Sequence, residues 1–214
     1  MTAFDNLSTI DAHLGGAFAD GKTVQDAELI AFLRNIGSRP TLTPLLSEIL
    51  DDPASLERIA ARSFHHRNEF DKIILLDRWP NYQLRLHIWR PEEGTSDSDT
   101  DIHNHKLDFS SVIVCGEYTQ EHYEPSDEGT EMRKLCYSNT FDGTTERYTM
   151  TDLGTERIKC SFRTFSGEGV WYSLSHEVLH KVTPNGNTPT DLRVCRKDRD
   201  KINFEDYKGR KHNS

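Results

Sequence analysis

Near residue 70 the spacing of apolar residues changes from that of a helix to that of a strand. From Tyr82 to Trp89, Tyr82, Leu84, Leu86 and Ile88 alternate with Gln83, Arg85, His87 and Trp89. Such alternation belongs to a strand whose two faces meet different surroundings. Lys72 to Leu76 reads as the strand before it. Further β-like runs cover 108–115, 117–124, 131–138, 144–150, 157–165, 169–174, 178–183 and 190–195. Short strands joined by Gly, Pro, Asp and Ser turns point to a closed antiparallel sandwich or barrel.

The residues ahead of this change read as helices. Thr23 is placed to cap a segment carrying Val24, Ala27, Leu29, Ile30, Leu33 and Ile36, with Gly37 as a left-handed stop. Thr43-Pro44 and Asp52-Pro53 each put a capping side chain before a proline at the first helical position. Two short helices should follow, one with Leu45, Leu46, Ile49 and Leu50, the other with Leu56, Ile59, Ala60 and Phe64. His65 and His66, at the end of the second, suit the negative end of its dipole. The organisation expected is a helical segment over 1–69, a barrel over 70–196 and a tail over 197–214 that packs on or near the barrel. Gly94–Asp101 reads as a mobile loop, and His212 falls in a frayed terminus.

Charge narrows the range of functions. A formal charge of -9 argues against a nucleic-acid binder, which needs a basic face. The basic residues near the end are diluted by Asp198, Asp200, Glu205 and Asp206. No apolar run reaches the length of a membrane span and no secretory leader opens the chain, so a cytoplasmic location is expected. Cys115, Cys136, Cys160 and Cys195 stand singly, which indicates free buried thiols rather than a zinc ribbon or a disulfide framework.

The chemistry concentrates in Ile102-His103-Asn104-His105, followed by an apolar run to Cys115 and by Gly116. In an extended segment His103 and His105 project to one face and can grip one metal ion from one side. Imidazole suits iron, zinc, nickel and copper better than magnesium or calcium. A third ligand must come from elsewhere, and His180, in Val178-Leu179-His180-Lys181-Val182, is the best candidate. The chain holds ten histidines, so the pair alone could be coincidence. His176 is a further ligand candidate or a support for one, and His122 reads as a surface or satisfied barrel residue. Asp108 is the carboxylate nearest the pair, although turn capping suits its position at the start of a strand. If the strand face bearing Arg85, His87 and Trp89 turns inward, Lys72, Arg85, His87 and Arg193 form a cationic interior that calls for an anionic partner. The alternative is that these residues coat a solvated face.

Helices followed by a barrel, a His-x-His strand and a later His-Lys-Val strand resemble the cupin superfamily, most closely its cysteine dioxygenase, or thiol dioxygenase, branch. The resemblance runs from roughly residue 40 to 207. It rests on Tyr82 to Trp89 with Ile102-His103-Asn104-His105, and on Leu179-His180-Lys181-Val182. It implies a mainly β, jelly-roll-like cupin barrel with an N-terminal α-helical cap, and an iron(II) held by His103, His105 and His180. The glutamate that usually follows the second histidine is absent, which favours three histidines alone. The arginine that holds the substrate carboxylate in that family corresponds to Lys72. The tyrosine near the end of the barrel and its cross-linked cysteine correspond to Cys195 and to Phe109 or Ser110, so free cysteine is an unexpected substrate.

The resulting expectation is a mononuclear non-haem iron(II) dioxygenase acting with O2 on a small anionic, carboxylate-bearing substrate. Lys72 and Arg193 would orient the carboxylate, and Tyr82, Tyr172 and His87 are candidate proton donors. Zinc, manganese and nickel are the alternative metals. The rival functions are a non-redox cupin enzyme (isomerase, lyase or hydrolase) and a non-catalytic small-molecule-binding cupin. A monomer or a homodimer paired through barrel edges is expected, with neither nucleic acid nor membrane as a partner.

Overall fold

The computed structural model describes residues 4, 6–19, 24–66, 70–90, 102–141, 146–196 and 206–210. Thr23, the Gly94–Asp101 loop and His212 lie outside the described residues. The helices come first: α1 (Leu7–Ala17), α2 (Asp26–Ile36), α3 (Arg39–Asp51) and α4 (Pro53–Ala60). Strands follow: β1 (Phe64–His66), β2 (Phe70–Arg78), β3 (Tyr82–Trp89), β4 (Ile102–His103), β5 (Asp108–Phe141), β6 (Glu146–Gly167), β7 (Trp171–Leu174), β8 (Leu179–Arg196) and β9 (Asp206–Arg210). The architecture is mainly β, with the helices at the N-terminus, as expected. No helix among the described residues is long and apolar enough to cross a membrane.

The helical cap follows the expected pattern in some places and departs from it in others. Asp52 caps α4, its carboxylate accepting the Ala54 N–H at 3.2 Å. Pro44, expected to open a helix, lies inside α3, which starts at Arg39. Its missing N–H costs the helix one bond. Burial of Leu42, Leu45 and Ile49 on both sides of the proline keeps the segment helical. Gly37 ends α2 with φ -79 and ψ -6, which is not the left-handed stop expected. Glycine is needed there for space, because a Cβ would meet Val112 Cγ1 at 2.7 Å and the Leu33 carbonyl at 2.8 Å. Phe64, His65 and His66 leave the helix and form β1 against β2, with Phe64 opposite Lys72, so the two histidines are not dipole partners.

The centre of the sheet is β8. Its C-terminal half pairs with β3 on one side, Leu86 opposite Leu192, and with β5 on the other, Val112 opposite Leu192. Beyond β3 lie β2 and β1, and beyond β5 lies β6. The pairing also closes on itself: β8 pairs with β4, β4 with β9, β9 with β5, and β5 again with β8. A closed ring leaves those strands no free edge and fixes a curled, barrel-like wall. The runs 108–115, 117–124 and 131–138 fuse into β5. Gly116, at φ 71, and irregularities on either side of Cys115 bend the strand without ending its ladder.

Each face of β3 has its own role. Tyr82, Leu84 and Leu86 pack with Leu192, Val194, Val112 and Val114 under Ile10, Leu14, Leu29, Leu33, Ile36 and Leu45 of the helices, forming one apolar core. Tyr82 also donates to the Asp11 carboxylate of α1 at 2.5 Å, and Arg78 Nε bonds the same group at 2.9 Å. That bond fastens the cap to the sheet. It also turns Tyr82 away from the interior, so it is not placed to donate a proton there.

Candidate metal centre

The two-residue strand β4 positions the first histidine. His103 lies opposite His180 of β8, and directly opposed residues of an antiparallel pair share a face. The chain then leaves the ladder, and the next segment is held by a relay. The His105 N–H donates to the His176 carbonyl at 3.2 Å, while Asp108 Oδ1 accepts the His176 N–H at 2.7 Å and its Nδ1–H at 2.6 Å. Asp108 is thus turned to capping, and neither Asp108 nor His176 belongs to the histidine cluster.

The three rings converge. Centroids of His103 and His105 are 4.9 Å apart, those of His103 and His180 4.7 Å, and those of His105 and His180 4.8 Å. One nitrogen from each lies within 4.8 Å of the others, and His105 Nε2 is 2.7 Å from His180 Nε2. Burial, followed by the neighbouring rings, holds His105 and His180 well below the ordinary imidazole range. Both are therefore neutral rings with lone pairs to offer. Among the described residues this is the one group of three or more His, Cys, Asp or Glu side chains able to share an ion. Three imidazole nitrogens with no carboxylate suit a borderline transition-metal ion and do not suit magnesium or calcium.

Facing this cluster is a wall built from β2, β3, the C-terminal half of β8 and β5. Phe109 joins the two regions: its ring meets His105 at 4.9 Å, and the Arg193 guanidinium covers it at 4.4 Å. Along the wall Lys72 lies opposite His87, His87 opposite Asp191, and Arg85 opposite Arg193. His87, Asp191 and Arg193 are 4%, 0% and 4% exposed, so this face turns inward and does not coat the surface. Lys72 is half-buried, with Nζ 5.0 Å from the centre of the Phe64 ring.

Asp191 is the important residue that sequence reasoning missed. Arg193 Nε donates to its Oδ1 at 2.9 Å and Nη2 to its Oδ2, so the deepest cation of the expected cluster already has its anion. Burial works against the charge of both groups. The pair opposes it, and the Arg193 pKa ends above the ordinary guanidinium value. The signal was available, since residues two apart on a strand share a face. His87 stacks on Phe70 at 4.5 Å, and neither ring nitrogen has a hydrogen-bond partner, with Nδ1 4.0 Å from Asp191. Burial, then Arg193, Arg85 and Lys72, keeps it well below the ordinary range and neutral.

Tyr172 accepts a hydrogen bond from the Tyr118 hydroxyl at 2.7 Å, and burial raises its pKa, so its own hydroxyl stays protonated. Cys195 lies opposite Phe109, and both are buried. His122 lies opposite His180 and bonds Gln120 at 3.1 Å, which fits the satisfied barrel residue expected. Of the four cysteines, Cys136 and Cys195 are buried, whereas Cys115 and Cys160 are exposed, contrary to expectation. A cleft of about 580 Å³ lined by Asn104, Tyr123, Leu135 and Leu179 contains none of the three histidines.

No protein-family model matches the sequence, and no curated protein matches it. Among solved structures, hydroxypropylphosphonic acid epoxidase from S. wedmorenis aligns at TM-score 0.35 and 10% identity, over 63% of this chain and 56% of that one. An oxalate decarboxylase variant from Bacillus subtilis aligns at TM-score 0.36 and 11% identity, over 64% of this chain and 28% of its own. KdgF from Halomonas sp. aligns at TM-score 0.31 and 10% identity, over 64% and 90%. The chain thus spans just over half of the epoxidase, and likenesses this partial carry no argument about chemistry. The molecule's own features are a mainly β curled sheet, a helical cap and a three-histidine cluster inside.

Proposed function

We propose that this chain is a cupin-type mononuclear metal enzyme, a non-haem iron(II) dioxygenase acting on a small carboxylate-bearing substrate. One observation carries the reading: His103, His105 and His180, from two separated segments, bring one nitrogen each within 4.8 Å of the others inside a β-walled interior. Iron(II) held there would offer open positions to a substrate and O2. The protein's own groups do the rest. Asp191 occupies two of the five N–H groups of Arg193 and fixes its direction, and the remaining edge is left for a carboxylate beside Phe109. Lys72 adds charge at the neighbouring strand. Tyr172, neutral and fixed by Tyr118, can hold or give a proton from its hydroxyl, and His87 can take one at a ring nitrogen. Free cysteine is disfavoured, because Cys195 stands where the family resemblance would put its tyrosine, and Phe109 or Ser110 where it would put the cysteine.

The test is metal analysis of protein purified without added metal, followed by an oxygen-electrode screen over thiols, amino acids and dicarboxylates. Bound iron with substrate-dependent O2 uptake supports the reading. Zinc or manganese without O2 uptake favours an isomerase, lyase or hydrolase. A site that takes no metal at any loading favours a non-catalytic binding protein.

A further inference from the structure

Charge on the inner wall does not balance. Arg85 and Arg193 lie directly opposite each other on one face, where like charges repel. The carboxylate two residues along β8, Asp191, is taken up by Arg193. Arg85 is half-buried, and its hydrogen-bond partner is the neutral Gln83 carboxamide, with Nε 2.9 Å from Gln83 Oε1. No carboxylate pairs with Arg85 among the described residues. Beside it, His87 is nine-tenths buried and has two ring nitrogens without a partner. Lys72 sits across from His87 on the next strand. A buried polar group left unsatisfied is costly, and two such ring nitrogens beside an arginine that lacks a carboxylate call for a partner.

We infer that Arg85 and His87 form a second anion-binding position on the wall facing the three histidines, so that the substrate is a small dianion. One anionic end would be directed to the histidine cluster, and the other, a carboxylate or a phosphate, to the Arg85 fork with His87 beside it. Phe109 and the Arg193 guanidinium stacked on it separate the two ends, through the contacts at 4.9 and 4.4 Å. The first end rests on the metal reading above, whereas the second does not.

The experiment therefore uses protein stripped of metal by chelation, titrated calorimetrically with malonate, with inorganic phosphate and with acetate. Saturable binding of malonate or phosphate, at least tenfold tighter than acetate, is expected. Malonate alone marks a carboxylate end and phosphate alone a phosphoryl end. Arg85→Gln should weaken that binding at least tenfold with an unchanged melting temperature, and Arg85→Lys, which keeps the charge without the fork, should fall between. Because the titration uses protein without metal, loss of the metal reading leaves this result standing. Absence of saturable binding in the parent, or equal affinity in Arg85→Gln, overturns the inference.

Discussion

The two halves of β8 treat buried charge in opposite ways. The N-terminal half brings His180 against His103 and His105, three rings with no carboxylate among them. The C-terminal half brings Asp191 and Arg193, which neutralise each other. The histidine region is thus open to a cation from outside, while the arginine region is closed around its own pair except at Arg85. One strand can do both because its long pairing with β5 bends near Gly116, which folds the interior face of one half toward that of the other.

This contrast can be broken most sharply at His180. His180→Ala should lower metal per chain at least about tenfold and remove any metal-dependent activity, with the circular dichroism spectrum retained. Unchanged metal content would remove the histidine region from the comparison. The next effect is on the other side: Arg193→Ala leaves Asp191 buried and unpaired and should cost about 3–5 kcal/mol in denaturant unfolding. Asp191→Asn combined with Arg193→Met should recover most of that loss. Equal losses in the single and double variants would show that the ion pair is not what closes this wall.

A further effect sharpens the comparison by pH. His87, His105 and His180 are held neutral by burial, below their unfolded value of about 6.5. Just below that value the unfolded chain binds more protons than the folded one, so stability falls as pH drops. Each group contributes up to about 1.4 kcal/mol per pH unit. Chelated protein melted between pH 7 and 5 should show this slope, to be read against the about 6.5 reference. His87→Leu should remove the arginine-wall share and leave the histidine share in place. A slope unaltered by the substitution would mean that His87 is not buried in its neutral form.

Much of this was readable from the chain. Alternation from Tyr82 to Trp89 marked β3 with its observed bounds, and Asp52-Pro53 marked the start of α4. The grouping of the His-x-His pair with His180 was legible because histidines two apart on an extended segment share a face and a later histidine-bearing strand can lie beside them. The missed features depend on contacts distant in sequence. Pro44 stays within a helix because the residues around it have a core to enter, and Gly37 is dictated by Val112, far along the chain. Tyr82 looked like an interior hydroxyl until Asp11 claimed it.

By itself the sequence determined the local periods, the turn and cap chemistry, and which side chains could ligate a metal, because these follow from nearest-neighbour geometry. Tertiary structure alone decided which charges meet. Ring closure through β4 and β9, and the bend in β5 and β8, select which faces become interior. Whether an arginine there meets a carboxylate, as Arg193 does in Asp191, or only a neutral carboxamide among the described residues, as Arg85 does in Gln83, depends on a register that no single segment encodes.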